Sequence, residues 1–152
     1  MFSEDKFGVL NREYAIGRKN NKALKYRLNR RTFEVKSKIN KYLEQEPSSI
    51  LDLGTADAVM LDSLKSSFNK AKCVGVEYND ELYKIGKKNY PLLEIIKGDV
   101  DNLSFLKNRK FDVIIATAVI EHLENAELFI KNVKEYLTTN GILIITAPDP
   151  FW

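Results

Sequence analysis

Five short apolar segments alternate with segments of helical periodicity along the chain. The apolar segments are rich in Val, Ile and Leu, which is typical of buried strands, and they cover residues 49–53, 72–77, 93–97, 111–117 and 142–146. Between them, apolar residues recur every three or four positions and predict helices at 57–68, 80–89 and about 124–140. A longer helix is predicted upstream, from about Asn21 to Glu44, after an irregular lead-in that includes a short helix.

This alternation predicts the fold. Strands separated by helices of this length are joined by right-handed crossovers, which produce a parallel sheet. The near-continuous apolar composition of 111–117 and 142–146 indicates central strands covered on both faces. We therefore predict an α/β fold with a doubly wound, mostly parallel sheet of about five strands. Residues 1–46 form a separate N-terminal helical segment, and residues 47–152 form the sheet domain.

Composition excludes several classes of protein. The chain has 152 residues, of which 44% are apolar and 30% charged, as in a single globular domain. Its most apolar stretches, 113–120 and 141–147, are far shorter than the roughly 20 residues of a membrane-spanning helix. Residues 1–5 lack the basic-then-apolar order of a secretory signal. The single cysteine, Cys73, excludes an internal disulfide and a cysteine-cluster metal site, and we expect a cytoplasmic protein.

Charge is distributed unevenly between the two segments. Residues 1–46 contain 12 Lys or Arg and 6 Asp or Glu, whereas residues 47–152 contain 12 and 15. A basic segment of this kind occurs in proteins that bind nucleic acid or an anionic surface, and also in well-solvated amphipathic helices. Its aromatic residues do not form a dense interleave with the basic ones: Tyr14, Tyr26, Phe33 and Tyr42. The solvated helix is therefore the favoured interpretation, and the nucleic-acid signal is weak.

Acidic residues lie at the ends of three successive predicted strands. Ligands of a doubly wound sheet bind outside the carboxyl ends of its strands. Asp52 precedes the small-residue turn at Gly54, Glu77 ends the second strand and Asp99 follows the third. Glu77 can accept hydrogen bonds from a ribose diol, and Asp99 from an adenine amine. Each carboxylate alone is as often a helix cap or a solvated loop residue. Together they indicate a rim with acceptors for an amine, a diol and an adenine.

Five segments resemble, in order and spacing, the motifs of class I S-adenosylmethionine-dependent methyltransferases, of the type 11/12-like kind. They read ILDLGTADA, VGVEYNDEL, KGDVDNL, FDVIIATAVIEHL and NGILIITAPDP, and the resemblance covers about residues 48–150. It implies S-adenosylmethionine as cofactor and S-adenosylhomocysteine as product. It also implies that Asp52 lies near the cofactor's amino group, in a site that includes Gly54 and Thr55. Glu77 would bind the ribose hydroxyls, with Tyr78 beside the adenine.

The resemblance also assigns the adenine and acceptor sides of the site. Asp99 would meet the adenine amine, and Val100 would pack on the ring or bond to it. Thr117 and Ala118 would line the pocket beside the sulfonium and the incoming acceptor.

The sequence departs from the family pattern in two places. The family's turn is usually G-x-G-x-G, and here Ala56 and Ala58 occupy the second and third glycine positions. The family's sheet normally continues through two strands beyond the fifth, whereas this sequence stops at Phe151 and Trp152. We expect either that this sequence is part of a longer chain or that a partner, for example a second copy in a homodimer, covers the exposed sheet edge.

His122 is the only histidine and follows the fourth strand. Its ordinary pKa suits a general base that removes a proton from the acceptor, although a cap or packing role at the next helix is the more frequent one. The Glu121-His122 pair also resembles the metal-binding E-x-x-E-H of some methyltransferases. Ala118 stands at the first glutamate position, and we therefore expect no metal.

The leading hypothesis is an enzyme that transfers a methyl group to an oxygen or nitrogen of a small-molecule or glycan-type acceptor. Segment 1–46 would act as a lid, and its Arg30 and Arg31 would favour an anionic acceptor. The alternative is a non-catalytic adenosyl-cofactor-binding or scaffold protein on the same fold. An NAD-dependent dehydrogenase is disfavoured because Ala56 and Val59 replace the later glycines of G-x-G-x-x-G.

Overall fold

A parallel sheet is the central element of the structure. The computed structural model describes residues 12–147. Within them the strands are β1 (Ser49–Leu53), β2 (Lys72–Glu77), β3 (Glu94–Lys97), β4 (Phe111–Thr117) and β5 (Leu137–Thr146). They lie in the order β3-β2-β1-β4-β5, and each is parallel to its neighbours. The chain order reverses direction between β1 and β4, so the sheet is doubly wound and the predicted fold is confirmed.

Five α-helices accompany this sheet in the same part of the chain. They are α1 (Arg12–Asn20), α2 (Lys22–Tyr42), α3 (Val59–Ser67), α4 (Asp80–Asn89) and α5 (Ala126–Lys134). Asn21, Asn79 and Asn125 begin α2, α4 and α5 by accepting hydrogen bonds from backbone N–H groups of the first turn. Over residues 12–147, no helix has both the length and the apolar character that crossing a membrane requires.

Buried side chains form one apolar layer on each face of the sheet. Successive residues of a strand point to opposite faces, and in β1 Ile50 packs towards α2 and α3 whereas Leu51 packs towards α5. The same alternation places Asp52, Glu77 and Thr117 on the face of α2 and α3. Three candidate site residues therefore share a face at the carboxyl edge of the sheet.

The helix predicted at about 124–140 is shorter than expected. It ends at Lys134, and Leu137 already pairs with Phe111 as the first residue of β5. Tyr136 fixes this transition, since its carbonyl accepts a hydrogen bond from Phe111 N at 2.8 Å and its hydroxyl donates to the carbonyl of Leu103 at 2.9 Å. Strand pairing thus overrides the helical spacing that Leu137 had suggested.

The fifth strand occupies a different place from the one predicted. We expected 142–146 to be a central strand, but β5 lies at one edge of this sheet. Positions 142–146 are accordingly half-buried, whereas Val113, Ile114 and Ile115 of β4 are fully buried. Phe151 and Trp152, to which the expectation of association referred, lie outside the described residues.

Candidate functional site

The turn after β1 keeps a glycine-type backbone although two of its glycine positions hold alanine. Gly54, Ala56 and Ala58 have φ angles of 74°, 53° and 63°, all in the left-handed region. That region costs an alanine about 1–2 kcal/mol, so two methyl groups are accommodated under strain. The turn also delays α3, which begins at Val59 rather than at the predicted Asp57.

Gly54 lies where a side chain has no room. A Cβ at this position would approach Cγ2 of Val119 to 2.7 Å, because the loop after β4 packs directly on the turn. The N–H groups of Gly54 and Thr55 donate to the carbonyl of Val76 at 2.9 and 3.0 Å. The turn is therefore held between the ends of β2 and β4.

Thr55 carries a buried hydroxyl that its surroundings do not satisfy. The residue is 5% exposed, and Oγ1 has no hydrogen-bond partner among residues 12–147. Its methyl group packs on Gly75, where a Cβ would come within 2.7 Å of Thr55 Cγ2. In addition, Ala58, the N-cap residue of α3, makes no side-chain hydrogen bond to the start of the helix. A buried hydroxyl and an uncapped helix start are arrangements that a polar ligand completes.

Glu77 links the end of β2 to this turn. Its carboxylate is 6% exposed and accepts hydrogen bonds from Ala56 N at 2.8 Å and Asn79 N at 2.7 Å. Burial raises the pKa of Glu77 above its ordinary value, and the backbone hydrogen bonds from Asn79 and Ala56 oppose that effect. The geometry thus brings Glu77 and the predicted turn together. Tyr78 follows it and is half-buried.

Asp99 and Val100 lie beside Glu77, at the end of β3. Gly98 N donates to the carbonyl of Glu77 at 3.0 Å, and Asp99 Oδ1 accepts from Asp101 N at 3.0 Å. Asp99 and Val100 are both half-buried. The predicted adenine side is therefore adjacent to the predicted ribose side, with side chains that a ligand can reach.

Asp52 is located beneath the turn rather than at its surface. It is fully buried and lies in register between Gly75 of β2 and Ile115 of β4. Burial raises the pKa of the nearby Cys73 thiol to about 11, with the charges of Lys65 and Asp52 acting in opposite directions. Asp52 therefore shares the carboxyl edge of the sheet with Glu77 but is buried beneath the turn, whereas Asp99 at the end of β3 is half-buried.

Thr117 and His122 are placed by the end of β4 and the loop that follows it. Thr117 is 8% exposed and ends the strand, and Ala118 has a left-handed φ of 53°. His122 is exposed in the 3-10 turn Ile120–His122, and its backbone N–H donates to the carbonyl of Val119 at 2.9 Å. Over residues 12–147 no group of three His, Cys, Asp or Glu side chains could hold a metal ion. Metal independence stays a prediction.

Two contacts at this edge were not foreseen. Ala15 of α1 packs with Ala56 of the turn and Leu82 of α4 in a small buried cluster. On the adenine side, the ring of Phe105 lies against Gly98, where a Cβ would come within 2.6 Å of Cζ. Neither contact has a local signal in the sequence, because Ala15 and Ala56 are distant along the chain and Phe105 folds back onto Gly98 within the irregular loop after β3.

The arrangement has the chemistry of a site for an adenosyl-type ligand. Hydrogen-bond acceptors lie at the ends of β2 and β3, and a buried hydroxyl and the start of α3 lie at the end of β1. This is the topological switch point of the sheet, where ligands of such folds bind.

Comparison with known proteins agrees with this geometry. The sequence model of a protein family described as a methyltransferase domain matches residues 51–145. A malonyl-[acyl-carrier protein] O-methyltransferase of Halalkalibacterium halodurans is 27% identical over 116 residues, which are 72% of this chain and 43% of that protein. A ubiquinone biosynthesis O-methyltransferase of Rickettsia canadensis is 30% identical over 100 residues, 64% of this chain and 42% of that protein. The chain thus spans less than half the length of these curated relatives.

A solved structure shares the fold. The plantazolicin methyltransferase BpumL, in complex with a pentazolic desmethylPZN analog and SAH, superposes with a TM-score of 0.76 at 21% identity, over 91% of this chain and 53% of that one. The family match also argues against the dehydrogenase alternative. Because the family model covers more than half of the sequence, and its matched part contains the strands and turns of the candidate site, this chain belongs to the methyltransferase domain family.

Proposed function

We propose that this chain is an S-adenosylmethionine-dependent methyltransferase domain that acts on an oxygen or nitrogen of a small-molecule or glycan-type acceptor. The observation that carries the proposal is the cradle at the carboxyl edge of the sheet. In it, the buried Glu77 carboxylate is bonded to Ala56 N of the left-handed turn, beside the unsatisfied hydroxyl of Thr55. A purely structural turn would leave the Thr55 hydroxyl without a hydrogen-bond partner, whereas a polar nucleoside cofactor would supply one.

Residues of this chain would hold the cofactor as follows. Glu77 has acceptor capacity beyond its two backbone bonds and would take the ribose hydroxyls. Asp99 would accept from the adenine amine, with Tyr78 and Val100 against the ring. Thr55 would bind the methionine part through its hydroxyl.

Of the remaining site residues, Asp52 would act on the methionine part, and Thr117 and His122 would act on the acceptor. Asp52, being fully buried, would act on the amino group from beneath the turn through its charge and hydrogen bonding. Thr117 would line the acceptor side. When bound, S-adenosylmethionine supplies the methyl electrophile, so the protein has only to align the acceptor and to remove its proton. His122 would take that proton.

The N-terminal segment 1–46 would cover this site. Its support is the small buried cluster that Ala15 of α1 forms with Ala56 of the turn and Leu82 of α4. Arg30, proposed to favour an anionic acceptor, is paired with Glu34 at 2.8 Å on the outer surface of α2. We therefore assign the preference for an anionic acceptor less to Arg30 than to Arg31, which is half-buried. The compartment that we propose is the cytoplasm, on the strength of the single cysteine.

The experiment that tests the function measures S-adenosylhomocysteine release from S-adenosylmethionine with panels of hydroxyl and amine acceptors. Turnover that depends on the acceptor supports the proposal. Tight cofactor binding with no turnover on any acceptor would favour the non-catalytic alternative instead. Absence of cofactor binding in a folded protein would contradict both.

A further inference from the structure

We propose that the outward face of α2 binds single-stranded nucleic acid, with phosphates on its Lys and Arg side chains and bases stacked on Tyr26 and Phe33. This surface, called here the α2 outer face, is the exposed side of the helix around Tyr26 and Phe33. It lies apart from the residues that form the proposed cofactor site, and its binding requires no cofactor.

Two aromatic rings of α2 are placed away from the core. α2 packs on the sheet through Thr32, Val35 and Ile39, which are buried. Tyr26 and Phe33 are each 65% exposed and are seven residues apart, so they stand about two turns apart on the side opposite the packed residues. Two large rings that are about two-thirds exposed gain little from the core of the protein. They are the kind of platform on which bases stack.

The charge of α2 is complementary to that of a polyanion. α2 contains eight Lys or Arg residues and one acidic residue, Glu34, along a helix of about 30 Å. Glu34 pairs with Arg30, Nε to Oε1 at 2.8 Å. A helix with so large an excess of positive charge attracts a polyanion, and release of counterions from phosphates supplies the affinity.

The side chains around the two rings do not suit a membrane surface. An interfacial helix buries a continuous aliphatic and aromatic stripe among lipid chains. Here the rings are flanked by Asn29, Ser37 and Asn40, all exposed, whereas the Leu, Ile and Val residues of α2 lie on its packed side. Isolated rings among polar and basic groups suit bases better than acyl chains.

The connection from α2 to β1 gives the α2 outer face a defined orientation relative to the sheet. α2 leads through a short connection into the start of β1, so its first turns lie towards the carboxyl edge of the sheet and its last turns towards the opposite edge. Its neighbour α1 contacts the turn at Ala56 through Ala15. A strand bound along the α2 outer face therefore runs towards the edge that carries the candidate site.

The test is fluorescence anisotropy with a labelled oligouridylate of about 20 nucleotides, without cofactor, over a series of salt concentrations. The double variant Tyr26→Ala/Phe33→Ala should bind at least about tenfold more weakly than the parent. The matched control is Tyr42→Ala, because Tyr42 is also an exposed ring of α2 but stands at its end against Lys38 and Lys41. This control should stay within about twofold of the parent, and parent affinity should fall steeply with salt.

Three results would overturn the proposal. The first is binding by the double variant equal to that of the parent, with circular dichroism showing that it is folded. The second is competition by polyglutamate as strong as by unlabelled oligouridylate, which would show a general preference for acidic chains. The third is binding to phosphatidylserine vesicles without binding to the oligonucleotide, which would assign the face to a membrane.

Discussion

At the residue scale, the site depends on a few groups held in unfavourable states. Ala56 and Ala58 adopt φ angles that suit glycine, and Thr55 has a buried hydroxyl that no described residue satisfies. Glu77 is a buried carboxylate that keeps two backbone hydrogen bonds. Strain and desolvation of this kind concentrate where a ligand compensates for them. Substitutions of Ala58 and Glu77 test the strain and the desolvation separately.

Ala58→Gly should leave stability nearly unchanged. Glycine relieves about 1–2 kcal/mol of left-handed strain, which offsets the loss of a buried methyl group, about 0.8 kcal/mol, and the extra entropy of the unfolded chain. The control is Ala71→Gly, since Ala71 is equally buried and is not among the positive-φ residues. That variant should lose about 1–2 kcal/mol in urea denaturation. Equal losses in both variants would refute the strain assigned to Ala58.

The raised pKa of Glu77 predicts opposite pH trends for stability and cofactor binding. Its contribution to stability is fully present below its unfolded pKa and is lost as pH rises through the higher folded pKa. Cofactor affinity should rise over the same range, because ribose hydroxyls donate to the ionised carboxylate. The fall in stability and the rise in cofactor affinity should both appear above pH 4.5, the ordinary pKa of a glutamate, and both should be absent in Glu77→Ala. Denaturation measures stability and calorimetry measures cofactor affinity at each pH. If both quantities changed in the same direction with pH, Glu77 would not be the acceptor of the ribose hydroxyls.

His122→Ala should lower turnover by about 100-fold or more while leaving cofactor affinity unchanged. The reason is that His122 is proposed to act on the acceptor's proton and not on the cofactor. Assays of S-adenosylhomocysteine release measure the effect on turnover, and calorimetry of cofactor binding measures the effect on cofactor affinity. Unchanged turnover would return His122 to a structural role.

At the scale of elements, strand pairing sets helix and strand boundaries that the local sequence pattern leaves ambiguous. Segments 72–77, 80–89 and 111–117 were predicted with the bounds that the structure shows, because their patterns and their caps or breakers are local. The end of α5 was wrong because Leu137 fits both a helical stripe and a strand, and only its pairing with Phe111 decides between them. The contacts of Phe105 with Gly98 and of Ala15 with Ala56 could not be predicted, since each needs the assembled fold.

Asp112 joins three strands at the edge opposite the site. Its carboxylate accepts from Ser48 N at 2.8 Å, Ser48 Oγ at 2.7 Å and Thr138 Oγ1 at 3.1 Å. Burial alone would raise the pKa of Asp112, but these hydrogen bonds lower it below its ordinary value. Asp112 therefore stabilises the fold above the unfolded pKa of aspartate, and this contribution is lost as pH falls through the folded pKa.

Asp112→Ala should destabilise the protein by about 1–3 kcal/mol at neutral pH, because it leaves several donors unsatisfied. Denaturation at several pH values should show that the difference in unfolding free energy between the parent and Asp112→Ala becomes smaller below pH 3.8, the ordinary pKa of the carboxyl. The control Glu135→Ala removes an exposed carboxylate near the same edge and should change stability by less than about 0.5 kcal/mol. A loss in Asp112→Ala no larger than in this control would contradict the role of Asp112.

At the scale of the whole molecule, the chain contains the sheet, the turn and the strand ends of a methyltransferase domain, and it spans less than half the length of the two curated relatives compared above. β5 forms an edge of the sheet within residues 12–147, and a homodimer that covers this edge stays a prediction. Everything proposed for catalysis rests on whether this domain binds the adenosyl cofactor.

Calorimetric titration with S-adenosylmethionine tests that claim most directly. The parent should bind one cofactor per chain, and Glu77→Ala and Asp99→Ala should each weaken binding by about 1–3 kcal/mol, which is roughly 5- to 150-fold. Glu81→Ala, which removes an exposed carboxylate in the first turn of α4, should bind like the parent. No heat of binding in a folded parent, or equal affinity in all four proteins, would contradict the account.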